Sequence, residues 1–241
     1  MTIKVLMASH LGSTFRYATI KTALQSIANQ TRQPDEVLIA YSYKLDAPDE
    51  EEWKLILSPI PLRTVKSSTQ QHQFHHYKNL VTMIDDDDLV CFLDDDDLYH
   101  PDKIQKVFDA YKSPRFKGVI KHRYKDFFTD DESEGPVSRR EIDSVGSIFM
   151  MANTVQPSQT IHYGDIHHNE YCCYVVTGGI FKDFFETDHY NTWPSTGLHM
   201  LDVAFNVWLG SSMFSSYDLN EILLYVRKSL VIPRDYRSQL S

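Results

Sequence analysis

Apolar positions in the first half of the chain alternate between short solid runs and helical stripes. Ile3 to Ala8, broken only by Lys4, predicts a buried strand that opens into a loop at Gly12, Ser13 and Thr14. Ile20, Leu24 and Ile27 recur at helical spacing, so a helix starts with Ser13 or Thr14 as N-cap and stops before Pro34. Val37 to Ala40 predicts a second strand, parallel to the first because a helix links them. Asp49 to Leu57 reads as a short helix with acids at its positive end, and Leu62 to Lys66 as a third strand. Phe74, Tyr77, Leu80, Val81 and Ile84 mark one face of another helix, and Leu89 to Leu93 a strand buried on both faces. Pro101 fits the first turn of a helix whose stripe is Ile104, Val107, Phe108 and Tyr111. This β-α alternation is the signature of a doubly wound α/β sheet.

The second half is less regular. Val119 to Tyr124 predicts a strand and Thr129 to Glu134 a polar loop. Cys172 to Ile180 reads as a strand with Gly178 and Gly179 inside it, where a bulge or a close backbone approach is expected. Leu201, Ala204, Phe205 and Trp208 form a helical stripe, and Ile222 to Val226 a late strand. No internal repeat or linker divides the 241 residues, which are read as one domain.

Charge changes the picture by where it lies. The chain carries 24 basic and 33 acidic residues, net −9, too little positive charge for a general nucleic-acid binder. Eight of the acids form two tetrads, Asp85 to Asp88 and Asp94 to Asp97, on either side of the Leu89 to Leu93 strand. The first tetrad is expected to be a solvated loop. The second lies at the carboxyl end of the strand, where open α/β sheets bind ligands. There Asp94 and Asp96 are expected to point one way, and Asp95 and Asp97 the other. Four adjacent carboxylates repel one another unless a cation relieves them, and Mg²⁺ or Mn²⁺ is the natural partner, because such ions take oxygen ligands and bridge to phosphates. A negatively charged protein can thereby hold a phosphorylated substrate.

Three cysteines, two of them adjacent, make no disulfide framework, which points to a reducing, cytoplasmic compartment. No run approaches the roughly 18 apolar residues of a membrane span, and Ile3 to Ala8 is too short for a signal-peptide core. His72, His75 and His76 lack a third zinc ligand on a common face and read as polar helix surface or substrate contacts.

FLDDDDLYHPDKI, Phe92 to Ile104, resembles the FLDxDDxxxPDKL segment of inverting GT-A glycosyltransferases of the family-2 type, which carries their metal-binding DxD motif. ALQSIANQTRQPDEVLIA, Ala23 to Ala40, is similar to that family's first helix-to-strand stretch. Thr14-Phe15-Arg16 falls near its YNR position and Lys78-Asn79 near its ARN. VTGGIFKDFFE, Val176 to Glu186, resembles its GGxxFRRxxxE segment, and LDVAFNVWLG, Leu201 to Gly210, its EDxDLWLRL helix.

The resemblance implies a GT-A fold, with residues 1–124 as a Rossmann-like nucleotide-sugar half and 125–241 as a smaller acceptor half. It implies a metal-dependent inverting transfer of a hexose-type sugar from a nucleotide diphosphate sugar, a UDP-sugar first, to a hydroxyl of a glycan or glycoconjugate. Mn²⁺ or Mg²⁺ would be the cofactor, held by Asp94, Asp96 and Asp97, with Asp96 the direct ligand. Ser9, His10, Arg16, Tyr41, Gln73, Lys78, Asn79, Asp94 and Asp95 would bind the nucleotide sugar. Gly178, Gly179 and His199 would line the acceptor site. Asp202 would be the base, with Leu201 in place of the family's preceding Glu, and Tyr225 and Arg227 resemble its late YRxH, with Lys228 following. One departure stands out: the family ends its second strand with Asp-Asp-Gly-Ser, whose acid reads uracil, whereas this chain has Ala40-Tyr41-Ser42-Tyr43, so Tyr41 or Tyr43 would stack on the base instead. Two alternatives stay open, a sugar nucleotidyltransferase and a non-catalytic nucleotide- or glycan-binding module of the same fold.

Overall fold

The structure is a computed structural model and describes residues 1–44, 46–128, 171–192, 201–212 and 214–228. Its first half runs β1 (Ile3–Leu11), α1 (Thr14–Ala28), β2 (Glu36–Tyr43), α2 (Glu50–Leu57), β3 (Leu62–Lys66), α3 (Gln73–Lys78), β4 (Leu89–Asp94), β5 (Leu98–Tyr99) and α4 (Lys103–Tyr111). The second half adds β6 (Val119–Phe128), β7 (Tyr174–Thr177), α5 (Gly178–Phe185), α6 (Asp188–Thr192), α7 (Leu201–Ser211) and β8 (Ser216–Lys228).

The eight strands form one sheet in the order β3-β2-β1-β4-β7-β6-β8-β5. β1 pairs in parallel with β2 and β4, and β2 with β3. β7 runs antiparallel to both β4 and β6, and the two-residue β5 runs antiparallel to β8. The centre is buried on both faces, which is why β1 and β4 are apolar without alternation. Ser13 caps α1 by accepting from the Arg16 amide, and Asp49 caps α2 by accepting from the amides of Glu51 and Glu52, as their side-chain chemistry favours.

Three expectations need correction. The helix expected from Phe74 to Ile84 is α3 followed by a separate 3-10 turn, Val81–Met83. The amides of Asn79, Leu80 and Met83 bond three residues back, which tightens the backbone while the apolar face stays on the same core. The strand expected from Cys172 to Ile180 is a 3-10 turn (Tyr171–Cys173), the short β7, and then α5. The Gly178 and Gly179 amides leave the sheet and bond to the carbonyls of Asp88 and Asp86, after which Ile180, Phe181, Phe184 and Phe185 form a buried helical stripe.

The third correction concerns Asp85 to Asp88. Asp85, Asp86 and Asp87 are exposed, but Asp88 is 2% exposed. Its carboxylate accepts from the Thr2 amide and hydroxyl and from the Asp85 amide, and it pairs with Lys4 at 3.0 Å. Burial works against its ionisation, yet these donors win and hold its pKa down to about 2. The last acid of this tetrad thus fastens the start of β4 to the start of β1.

Candidate active site

β4 ends at Asp94, and Asp95 and Asp96 form a turn that leads through Asp97 into β5. Because the strand stops there, the alternation expected for the tetrad fails. Asp94 accepts from Gln73 Nε2 of α3 and from the Tyr171 hydroxyl. Asp95 accepts from Ser9 Oγ at the end of β1 and from Arg16 of α1. The Asp96 carboxylate also turns to Arg16, at 3.0 Å. Asp97 accepts from the Arg227 amide of β8 at 2.9 Å, while the Arg227 Nε donates to the Asp96 carbonyl at 3.0 Å.

Asp95 is 5% exposed, and that burial pushes its pKa up against the opposing pull of Arg16. Burial likewise opposes the Arg16 charge, and the carboxylates of Asp95 and Asp96 more than offset it, raising the Arg16 pKa. Tyr171 is driven well above the ordinary phenol range by burial and then by Asp94, so it stays a hydrogen-bond donor.

Asp94 and Asp97 each bring a carboxylate oxygen, and Cys172 its Sγ, to within 4.8 Å of one another. Burial raises the Cys172 pKa well above the usual thiol range, and sulfur is a soft donor that suits other ions than Mn²⁺ or Mg²⁺. What remains is a pair of carboxylates, a donor set that suits an oxygen-seeking ion such as Mn²⁺ or Mg²⁺.

Ala8, Ser9, His10 and Arg16 line one side of a cleft beside Asp95, and Gln70, Gln71, Gln73 and His76 line the other. Of the residues expected to bind a nucleotide sugar, Ser9, His10, Arg16, Gln73 and Asp95 therefore share this cleft, with Asp94 at its edge through Gln73. Others lie apart. Tyr41 is 2% exposed, packed edge-on to Trp53 with centroids 5.4 Å apart, and its hydroxyl donates to Glu50, so its ring has no face left for a base. Lys78 lies over the Tyr190 ring, and Asn79 donates to Ser67 and Gln71.

Gly178 and Gly179 do not join the cluster. They follow Thr177, which pairs with Leu89 at the opposite end of β4 from Asp94, about 17 Å away along the strand. Their place is explained by packing: a Cβ on Gly178 would sit 1.9 Å from the Asp85 carbonyl oxygen. His199 lies outside the described residues, as do Thr129 to Glu134. Asp202 is half-buried in the first turn of α7, three residues before Phe205, whose ring packs against Phe74 and Phe92 at 5.3 and 5.6 Å. The three histidines near α3 diverge: His72 caps the helix, His75 bonds the Tyr190 hydroxyl, and His76 is buried against Ser42 in the lining of the cleft, so of the three only His76 departs from a reading as polar surface.

Sequence reasoning missed Tyr171 and Ser42 as site residues and gave His76 only as one of three histidines at the helix surface or in contact with substrate. Tyr171 sits in a stretch without apolar period, and no local signal ties it to Asp94. Ser42 was legible only as part of the second-strand segment that departs from the family's Asp-Asp-Gly-Ser.

Residues 13–166 match the model of glycosyl transferase family 2. The chain belongs to that family. No curated protein sequence matches this family-2 chain. Solved structures do. S. aureus TarS in complex with UDP is 14% identical with a TM-score of 0.60, over 99% of this chain and 63% of that one. The mannosyltransferase PcManGT from Pyrobaculum calidifontis, in complex with GDP-Man and Mn²⁺, is 12% identical with a TM-score of 0.56, over 99% and 59%. M. tuberculosis glucosyl-3-phosphoglycerate synthase is 14% identical with a TM-score of 0.50, over 98% and 74%. The chain spans between 38% and 64% of the length of the TarS structures. At these identities the likeness is one of fold, and the fold of this family-2 chain is GT-A.

Proposed function

We propose that the protein is a metal-dependent inverting glycosyltransferase that moves a sugar from a nucleotide diphosphate donor, a UDP-sugar first, to an acceptor hydroxyl of a glycan. The observation that carries this reading is the carboxylate cluster at the end of β4, ringed by Tyr171, Gln73, Ser9 and Arg16 beside an open cleft. The solved structures in complex with UDP, UDP-GlcNAc and GDP-Man with Mn²⁺ share the fold and support a donor of this class.

Asp94 and Asp97 would hold the ion, with Asp96 beside them, and Mn²⁺ or Mg²⁺ would supply positive charge against the departing diphosphate. Arg16 adds a fixed cation on the same side, held by Asp95 and Asp96. Ser9 and Gln73 fix the carboxylates in place, so little rearrangement is needed when the donor binds. Asp202 would take the proton from the acceptor hydroxyl as its oxygen attacks the anomeric carbon and the sugar-phosphate bond breaks on the opposite face. The anchoring of α7 through Phe205 on Phe92, two residues before Asp94, supports that role. Three buried free thiols, Cys91, Cys172 and Cys173, suit a reducing cytoplasm.

The test is a panel of nucleotide sugars incubated with the protein and Mn²⁺, with release of nucleoside diphosphate as the readout. Release from one or a few donors, abolished by a chelator, is expected. Cation-dependent binding without release would instead assign the protein as a binding module.

A further inference from the structure

The cleft beside Asp95 contains a polar chain that the proposed transfer does not use. His10 and Ser42 are opposite partners on β1 and β2, and His10 Nδ1 lies 2.9 Å from Ser42 Oγ. The same oxygen lies 3.2 Å from Nε2 of His76, which comes from α3 and is 1% exposed. A hydroxyl has one hydrogen to donate, so one of the two rings donates to Ser42 and the other accepts from it.

His76 decides the direction. Its Nδ1 is buried with no hydrogen-bond partner among the described residues. A buried N–H without an acceptor is rarer and costlier than a buried lone pair without a donor. The ring proton of His76 therefore sits on Nε2 and is donated to Ser42; Ser42 donates to His10 Nδ1, and the His10 proton is left on Nε2. Burial keeps both rings neutral, pulling His76 down to about 4 and His10 below its ordinary value. The Cδ2–Nε2 edge of His10 lies over Gly12, where a Cβ would meet both atoms at 3.2 Å, and the half-exposed ring lines the cleft. Three side chains thus leave one N–H donor, in one fixed tautomer, on the edge of a ring that lines the cleft.

We infer that His10 is a specificity residue that donates its Nε2–H to a carbonyl oxygen of the donor's nucleobase, with Ser42 and His76 as the residues that position it. This deepens the proposed function and rests on its nucleotide donor. A base is favoured over a phosphate because Arg16 and the β4 carboxylates with their ion lie toward β4, whereas Ser42 lies on β2, on the far side of β1, and Lys44, the cation that follows β2 and acts on His10, is not among the residues that line the cleft. At this end the cleft offers neutral imidazole together with the amides of Gln70 and Gln71, groups that match the edge of a heterocycle. Uracil and guanine present a carbonyl oxygen to such a donor, whereas adenine has no carbonyl and carries an amino group where guanine has its oxygen.

The test is calorimetric binding of UDP, GDP and ADP, each with Mn²⁺, to the wild type and to His10→Phe and Ser42→Ala. The wild type should bind UDP and GDP about tenfold or more tightly than ADP, the worth of one well-placed hydrogen bond. His10→Phe should bring the ratio close to one by weakening UDP and GDP while leaving ADP unchanged. Ser42→Ala, which keeps both rings, should lower the ratio in the same direction, so the inference stays testable if the first variant does not fold. Equal affinity for all three in the wild type, or an equal loss for all three in His10→Phe, would overturn the inference while leaving the donor reading intact. Failure of the wild type to bind any nucleotide would overturn both.

Discussion

Tyr171 donates its hydroxyl to Asp94 across 77 positions of sequence. The contact exists because β7 runs antiparallel to β4, so the turn that precedes β7 arrives at the carboxyl end of β4. The Tyr171 ring is held by Phe74, Tyr77 and Phe92, at 5.3, 6.0 and 5.6 Å, and its hydroxyl also receives Gln73 Nε2 at 2.6 Å.

Tyr171→Phe keeps that packing and removes the hydroxyl, which donates to Asp94, accepts from Gln73 and bonds the Tyr77 hydroxyl. It should lower kcat/KM for donor turnover by about tenfold, the value of one charge-assisted hydrogen bond, with a small change in Tm. Turnover equal to wild type would show that Asp94 does not depend on this bond for its position.

Asp202→Asn separates binding from chemistry. Donor affinity should stay within about twofold of wild type, while transfer to acceptor falls by about 100-fold or more, the usual contribution of a positioned base. Titration calorimetry with UDP and a product assay on the same preparation give both numbers. Undiminished transfer would remove Asp202 from the proposed role.

Asp88 is a structural counterpart to the reactive carboxylates. Its pKa is depressed from 3.8 to about 2, so its bonds to Thr2, Lys4 and the Asp85 amide are worth about 2 kcal/mol above pH 4. That stability is lost as the pH falls from about 4 to about 2, because the folded state must then take up the proton that the unfolded state already carries. Asp88→Asn should show a lower urea midpoint at pH 7 and a shallower loss of stability on acidification. Parallel acid titrations of the two proteins would refute this.

Gly178 and Gly179 should behave differently when given a methyl group. Alanine at 178 collides with the Asp85 carbonyl, whereas at 179 the nearest atoms are 3.7 Å away, ordinary contact. Gly178→Ala should cost on the order of 3 kcal/mol and Gly179→Ala little. Thermal melts of the pair would check the difference, and equal Tm values would contradict the close approach.

The nucleotide half was legible because its strands are solid apolar runs and its helices carry clear stripes and caps, so β1, α1, β3 and β4 fall where the pattern puts them. The end of β4 was legible as a candidate site because four aspartates after a buried strand call for a cation. The orientation of each was not, since alternation holds only while the strand continues and this one stops at Asp94. The second half was hard for a different reason: β7 has four residues, and its apolar run continues without a break in composition into the buried face of α5. His76 was legible only as one of three nearby histidines, since nothing in the helix shows that its neighbour will be a serine from β2.

Leu98 and Tyr99 pair with Tyr225 and Leu224, so the aspartate turn is tied to the sheet by β4 on one side and by β5 on the other. A turn fastened at both ends behaves as part of the scaffold and not as a lid. The spacing of its carboxylates is set when the chain folds, so under the proposed function a donor would meet a receptor already in shape, leaving the adjustment of fit to the sugar and its acceptor.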